Sequence, residues 1–151
     1  MEICFTGMKK SHIDGILEIE NQSFPTPWSR ATFSHEIAGN DFAYYIVALM
    51  DKSVVGYAGM WVVLDEGHIT TLAVHSTQRR VGIGFKLLNN LIGEAKRQGC
   101  IKMTLEARPS NFPALELYEK TGFVSFGLRP GYYSDTGEDA VIMWKELHPV
   151  F

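Results

Sequence analysis

Cysteine is scarce in this chain. Cys4 and Cys100 are its two thiols, with no C-x-x-C spacing and no histidine cluster beside them. That argues against a disulfide framework or a zinc site, and both residues read as reduced, buried and inert. A basic surplus is also missing: 14 lysines and arginines face 17 aspartates and glutamates, a net charge of −3. Nothing global therefore marks a nucleic-acid binder. Long apolar runs are absent, and the longest, Phe42 to Met50, is far too short to cross a bilayer. The first ten residues, MEICFTGMKK, place Glu2 early and hold no stretch of signal-peptide length. No repeat, low-complexity tract or linker divides the chain. These absences lead us to expect one domain over residues 1–151, cytoplasmic, with no membrane and no direct nucleic-acid partner.

What is present is an ordinary globular composition, 46% apolar and 21% charged over 151 residues, long enough for a sizeable core. Ser11-His-Ile-Asp14 has the form of a helix start with Ser11 as cap. Pro25 and Pro27 must break that helix, and a short second one is expected from Ser29 to Ala38. Strands are expected at Tyr44–Met50, Val54–Leu64 and His68–Val74, with turns at Asp51–Ser53 and Asp65–Gly67. Leu87, Leu88, Leu91, Ile92 and Ala95 then recur at helical period, and Gly99 is placed to end the helix. Ile101 to Glu106 alternates, with Ile101, Met103 and Leu105 on one face. Strand, helix and strand in this order imply a crossover joining parallel strands. Asn111 can cap a further helix ended by Gly122, and 124–129 with 140–147 read as a hairpin. The fold class expected is α+β, a mixed, mostly antiparallel sheet of about seven strands flanked by about four helices.

Between the third strand and the long helix lies Arg79-Arg80-Val81-Gly82-Ile83-Gly84. Glycines at a helix N-terminus let phosphate oxygens approach free backbone N–H groups. The dinucleotide fingerprint G-x-G-x-x-G fails because Leu87 holds its third position, and no Gly-Lys-Ser/Thr follows for a Walker loop. R-x-x-G-x-G remains. This pattern, continued through LEARPSNFPALELYEKTGF, resembles the GCN5-related N-acetyltransferase (GNAT) superfamily. SFPTPWS at 23–29, VVLDEGHITTLAV at 62–74 and LRPGYYSDTGEDAVIM at 128–143 resemble its ribosomal-protein-alanine N-acetyltransferase (RimI-like) branch. The resemblance covers nearly the whole chain, with Arg79 where glutamine is common and Val81 where a polar residue is usual.

The resemblance implies acetyl-CoA as acetyl donor, no metal, and an acceptor that is a protein or peptide N-terminus, the N-terminal alanine of a small-subunit ribosomal protein. The protein is expected as a monomer or weak homodimer. The loop Arg79 to Gly84 would bind pyrophosphate. Leu72, Ala73 and Val74 would splay to bind pantetheine, against the alternative of an ordinary buried strand. Glu106 would be the general base, although its position alone reads as an exposed strand-end carboxylate. Tyr118 would be both a cofactor contact and the general acid, although its period alone reads as a core aromatic. Asn111 is a helix cap, a pantetheine contact or both. Phe24, Pro25, Trp28, Tyr132 and Tyr133 would line the acceptor groove, with core packing an equal reading for Trp28. Glu36, Glu66 and Asp135 read as solvated faces, against the alternative of meeting the ammonium of an incoming peptide, and the five histidines receive no role.

An unperturbed α-amine titrates near pH 7.7–8.0 and a lysine side chain near 10.4, so at neutral pH the α-amine is far easier to bring to its attacking form. Transfer to a lysine side chain or small amine is the alternative within this chemistry. A non-catalytic acyl-CoA-binding module is the alternative outside it, but such a module needs neither Glu106 nor Tyr118.

Overall fold

The computed structural model describes residues 2–79 and 81–148, so Arg80 of the glycine loop lies outside the described residues. The elements run β1 (Ile3–Gly7), α1 (Ile13–Ser23), α2 (Arg30–Gly39), β2 (Ala43–Met50), β3 (Ser53–Val63) and β4 (Glu66–Val74). They continue with α3 (Ile83–Arg97), β5 (Lys102–Ala107), α4 (Phe112–Lys120), β6 (Val124–Arg129) and β7 (Ala140–Glu146). The seven strands form one mixed sheet in the order β1-β2-β3-β4-β5-β7-β6. β4 pairs with β5 in parallel, through Glu66, Gly67 and His68 against Lys102, Met103 and Thr104. Each of these two strands continues beyond that three-pair ladder. The other described ladders are antiparallel.

Two compact units make up the chain, one holding the residues up to Trp61 with Thr70–Leu91, the other Val62–Ile69 with the residues from Ile92 on. In the first unit Ile13, Ile16 and Ile19 of α1 bury against Phe33, Val47, Tyr57 and Ala73. These isoleucines recur at three-residue spacing, which places them on one helix face. Ser11 does not cap this helix. A 3-10 turn at Lys10–His12 precedes α1, and His12 Nδ1 accepts the Lys9 N–H at 3.0 Å. His12 is the residue before α1, and no side chain caps the helix there. Ser29 does cap α2, accepting the Thr32 N–H at 3.2 Å. β1 had no range in the sequence, because ICFTG is short and lacks a clean alternation.

The turn at 51–52 is made without glycine, since Asp51 and Lys52 both adopt left-handed φ of 51° and 70°. Leu64 does the same with φ 56°, so the next turn falls at 64–65 and Glu66 and Gly67 already belong to β4. Gly59 has a different reason to be glycine. The Tyr45 ring lies across it, and a Cβ at Gly59 would sit 1.9 Å from ring carbon Cε1. That crossing delivers the Tyr45 hydroxyl to Glu36 Oε1 at 2.6 Å and to Thr70 Oγ1 at 3.0 Å.

In the second unit Met103, Leu105 and Ala107 of β5 face the core. Ile101 does not join them. It is 47% exposed, and its backbone bridges Asp65 and Leu147 at the strand's start. Gly99, with φ 84°, ends α3 as expected. Cys100 is buried, and burial pushes its thiol pKa up; Cys4 is exposed, because it takes an outward position on β1. Both thiols are free. No helix of the described residues is long and apolar enough to cross a membrane.

The Gly59 crossing gives a direct test. Gly59→Ala should lower unfolding stability by about 1–3 kcal/mol in urea, as overpacking of a filled site does.

Candidate active site

Glu106 sits on β5, next to last in the strand, with its side chain only 11% exposed. His68 of β4 reaches it: Nε2 lies 2.6 Å from Oε2. The short parallel ladder explains the meeting, since His68 is in register with Thr104, two residues before Glu106 and therefore on the same face. Arg129 Nη1 lies 3.5 Å from the other carboxylate oxygen. The His68 hydrogen bond, reinforced by the Arg129 charge, outweighs desolvation and holds the Glu106 carboxyl below the usual range. Glu106 is thus an ionised acceptor, and His68 donates to it through Nε2–H. Sequence reasoning gave His68 no role; the two residues are 38 positions apart and no local pattern links them.

Tyr118 on α4 is buried, its ring 6.0 Å from that of Phe123 in an edge-on contact. Burial pushes its hydroxyl up to about 12, so it remains a proton donor through the neutral range. Tyr132 and Tyr133 lie in the 130–139 segment after β6, with rings perpendicular at 5.0 Å. The Tyr132 ring carries the Arg129 guanidinium at 5.3 Å, and burial raises the Tyr133 hydroxyl to about 12. Glu106, Arg129, Tyr132 and Tyr133 therefore form one connected cluster. Asp135 is no solvated carboxylate. It accepts from Arg108 Nη2 at 2.8 Å, and that hydrogen bond holds it below its ordinary range.

The remaining candidates belong to the first unit or to helix starts. Trp28 packs on Phe33 with ring centroids 5.3 Å apart and is partly buried with Phe24 against the core, while Pro25 is exposed. The Trp28 N–H donates to Glu20 Oε2 at 2.9 Å. Glu20 is 3% exposed, also accepts from the Tyr57 hydroxyl, and has its pKa raised by burial. Glu36 is buried too, where a solvated face was expected. Asn40, Tyr45 and Trp61 all donate to it, and together they overcome desolvation and keep it ionised. Glu66 is half-exposed and pairs with Lys102 at 3.2 Å.

Arg79 Nε donates to the Val74 carbonyl at 3.0 Å and Nη2 to Ser23 Oγ at 3.2 Å. It ties the glycine loop to the end of the Leu72-Ala73-Val74 segment, where Ala73 is buried and its neighbours half-buried. Gly82 precedes α3 with φ 85°, and a Cβ added there would meet nothing within 4 Å. It has no side chain to cap the helix. Beside it Val81 is exposed, Ile83 is buried and Gly84 lies within the helix. Asn111 caps α4 through Oδ1, which accepts the Ala114 N–H at 3.3 Å. A surface hollow of about 540 Å³ lined by Val124, Phe126 and Trp144 contains neither Glu106 nor Tyr118.

The site thus combines a mixed sheet with one parallel pair, a glycine turn opening the crossover helix and a carboxylate near the end of the strand that follows. The family model described as "Acetyltransferase (GNAT) family" matches residues 13–123, and the chain belongs to that family. Within it, a Bacillus subtilis protein provisionally named ribosomal protein bS18-alanine N-acetyltransferase is 39% identical over 141 residues, 93% of each chain. The ribosomal protein bS18-alanine N-acetyltransferase of Escherichia coli is 33% identical over 142 residues, 91% of this chain and 93% of that one. The crystal structure of the ribosomal-protein-S18-alanine N-acetyltransferase from Escherichia coli matches with a TM-score of 0.88 at 29% identity, covering 99% and 97% of the two chains. A structure of the NatC complex bound to Gag peptide and CoA matches with a TM-score of 0.83 at 25% identity, over 98% of this chain and 100% of that one.

His68→Ala should move the Glu106 carboxyl titration upward, since the largest lowering contribution is lost. Carboxyl ¹³C NMR would detect this, and an unmoved Glu106 would show the pair to be unimportant.

Proposed function

We propose that the chain is an acetyl-CoA-dependent N-terminal protein N-acetyltransferase, acting by direct attack of an α-amine on the thioester. Its acceptor is the N-terminal alanine of a small ribosomal-subunit protein, the substrate named for its bacterial relatives. One observation carries the reading: Glu106 is an ionised carboxylate, sheltered yet held in place by His68.

The chain's own residues divide the work. The open cradle at Gly82 and the amides of Val81, Ile83 and Gly84 suit a diphosphate, because glycine leaves room and the helix start favours anions. Arg79 fastens that loop to Val74, and Arg80 is the second cation its sequence offers a diphosphate. Leu72, Ala73 and Val74 would offer backbone groups to the pantetheine arm, a role supported by the brevity of the β4–β5 ladder. Asn111, already the cap of α4, would contact the same arm.

A carboxyl held below its ordinary range cannot pull a proton from a free ammonium near pKa 8. The amine must first lose that proton, which an α-amine does at neutral pH far more readily than lysine. As the nitrogen bonds to the acetyl carbon, one of its two protons becomes strongly acidic and would pass to Glu106, through an ordered water or directly, while the other stays on the amide. Tyr118, protonated and buried, donates to the departing thiolate. Phe24, Pro25 and Trp28 would be acceptor contacts of the first unit, and Tyr132 and Tyr133 acceptor contacts of the second. The chain works as one acetyltransferase domain.

Glu106→Gln and Tyr118→Phe should each retain acetyl-CoA affinity and lose about 10²-fold or more in kcat. Wild-type turnover in both would refute these roles. Gly82→Asp should weaken acetyl-CoA binding, measured by calorimetry, because it puts a carboxylate where a diphosphate would rest. Peptides with free and blocked N-termini decide the acceptor: activity that survives blocking and requires lysine would replace α-amine transfer with side-chain transfer.

A further inference from the structure

Arg108 follows Glu106 by two residues, and its side chain carries a set of contacts that acetyl transfer does not itself require. Nη2 bonds Asp135 at 2.8 Å, and Nη1 approaches Glu138 at 3.4 Å and Thr136 at 3.3 Å. The guanidinium also lies 4.0 Å from the centroid of the Tyr133 ring. All three charged side chains are largely withdrawn from water, Arg108 at 17%, Asp135 at 14% and Glu138 at 26% exposure. Glu138 is further held by Ser110, which follows Arg108 by two residues. One side chain thus gathers Tyr133, Asp135, Thr136 and Glu138, nearly the whole of the 130–139 segment.

The segment's own bonds are local: Tyr133 N–H to the Glu138 carbonyl, Gly137 N–H to the Tyr133 carbonyl, Gly131 N–H to Asp139, and Thr136 bonding Asp135 through its N–H and Glu138 through its hydroxyl. Those close the turn on itself, whereas the side-chain contacts of Arg108 and Ser110 hold it toward the end of β5 from which Glu106 projects. A planar fork that pairs with carboxylates and stacks on an aromatic face does both tasks at once, and lysine cannot.

We propose that Arg108 is a positioning residue. It clamps the 130–139 segment so that Tyr132 and Tyr133 stand as a preformed wall beside Glu106, and it thereby sets acceptor affinity without touching acceptor or cofactor. The functional half rests on the acceptor-groove reading given above; the clamp itself does not.

Two measurements keep these separate. Hydrogen exchange on the intact chain should show faster exchange across 131–138 in Arg108→Met, with α3 and β2 unchanged. In peptide kinetics Arg108→Met should raise the acceptor KM about tenfold or more, with a much smaller change in kcat and none in the acetyl-CoA dissociation constant. Arg108→Lys should recover only part of the loss. Asp135→Asn should produce the same signature, and the double variant should be no worse than Arg108→Met alone, since the two act through one contact. Unchanged exchange at 131–138, or additive effects of the two substitutions, would overturn the clamp. Faster exchange with an unchanged acceptor KM would overturn its role in acceptor binding. A wild-type chain that acetylates no peptide would remove the acceptor reading while exchange still tests the clamp.

Discussion

The parallel pairing of β4 with β5 is the constraint from which the site follows. Strands running the same way cannot be joined by a tight turn, so the chain must leave the sheet and return through a crossover. Residues 75–101 make that crossing, with α3 as its body. The start of α3 follows the carboxyl end of β4, and there Gly82 turns the chain into the helix with a φ of 85°. The same pairing puts His68 in register with Thr104, one same-face step from Glu106. A few residue pairs of ladder thereby hold the Glu106 carboxylate against His68.

Charge is handled differently in the two units. In the first, Glu20 and Glu36 are buried without a lysine or arginine partner among their described hydrogen bonds. Glu20 is satisfied by Tyr57 and the Trp28 amide, Glu36 by Tyr45, Trp61 and Asn40. Their neutral donors tie α1, α2 and the proline loop to the sheet. The number of donors separates the outcomes: Glu36 with three stays ionised, whereas desolvation dominates at Glu20 and raises its pKa. In the second unit the carboxylates meet cations. Glu106 faces Arg129, while Asp135 and Glu138 face Arg108, and each is held below its ordinary range.

Much of this was legible in the residues themselves. Helix α3, the order of strands and the parallel crossover follow from period and spacing, because one buried face imposes its repeat on a local stretch. Ser29 and Asn111 announced their caps, and the glycine loop announced its place before a helix. Boundaries slipped where the backbone did something its residue types conceal: Asp51, Lys52 and Leu64 take left-handed conformations, and a 3-10 turn at Lys10–His12 delays the start of α1 past Ser11.

The sequence by itself determined which chemistry-bearing residues exist and on which elements they ride, since strand alternation and helical period are local properties. Glu106 on a strand's polar face and Tyr118 within a helix are of this kind. Tertiary structure alone decided their partners. His68 reaches Glu106 across a ladder, Arg108 gathers a segment some 27 residues later, and Glu36 is buried rather than solvated. Such pairings depend on register between strands distant in the chain, and register is set by the packing of the whole sheet, which no window of residues contains.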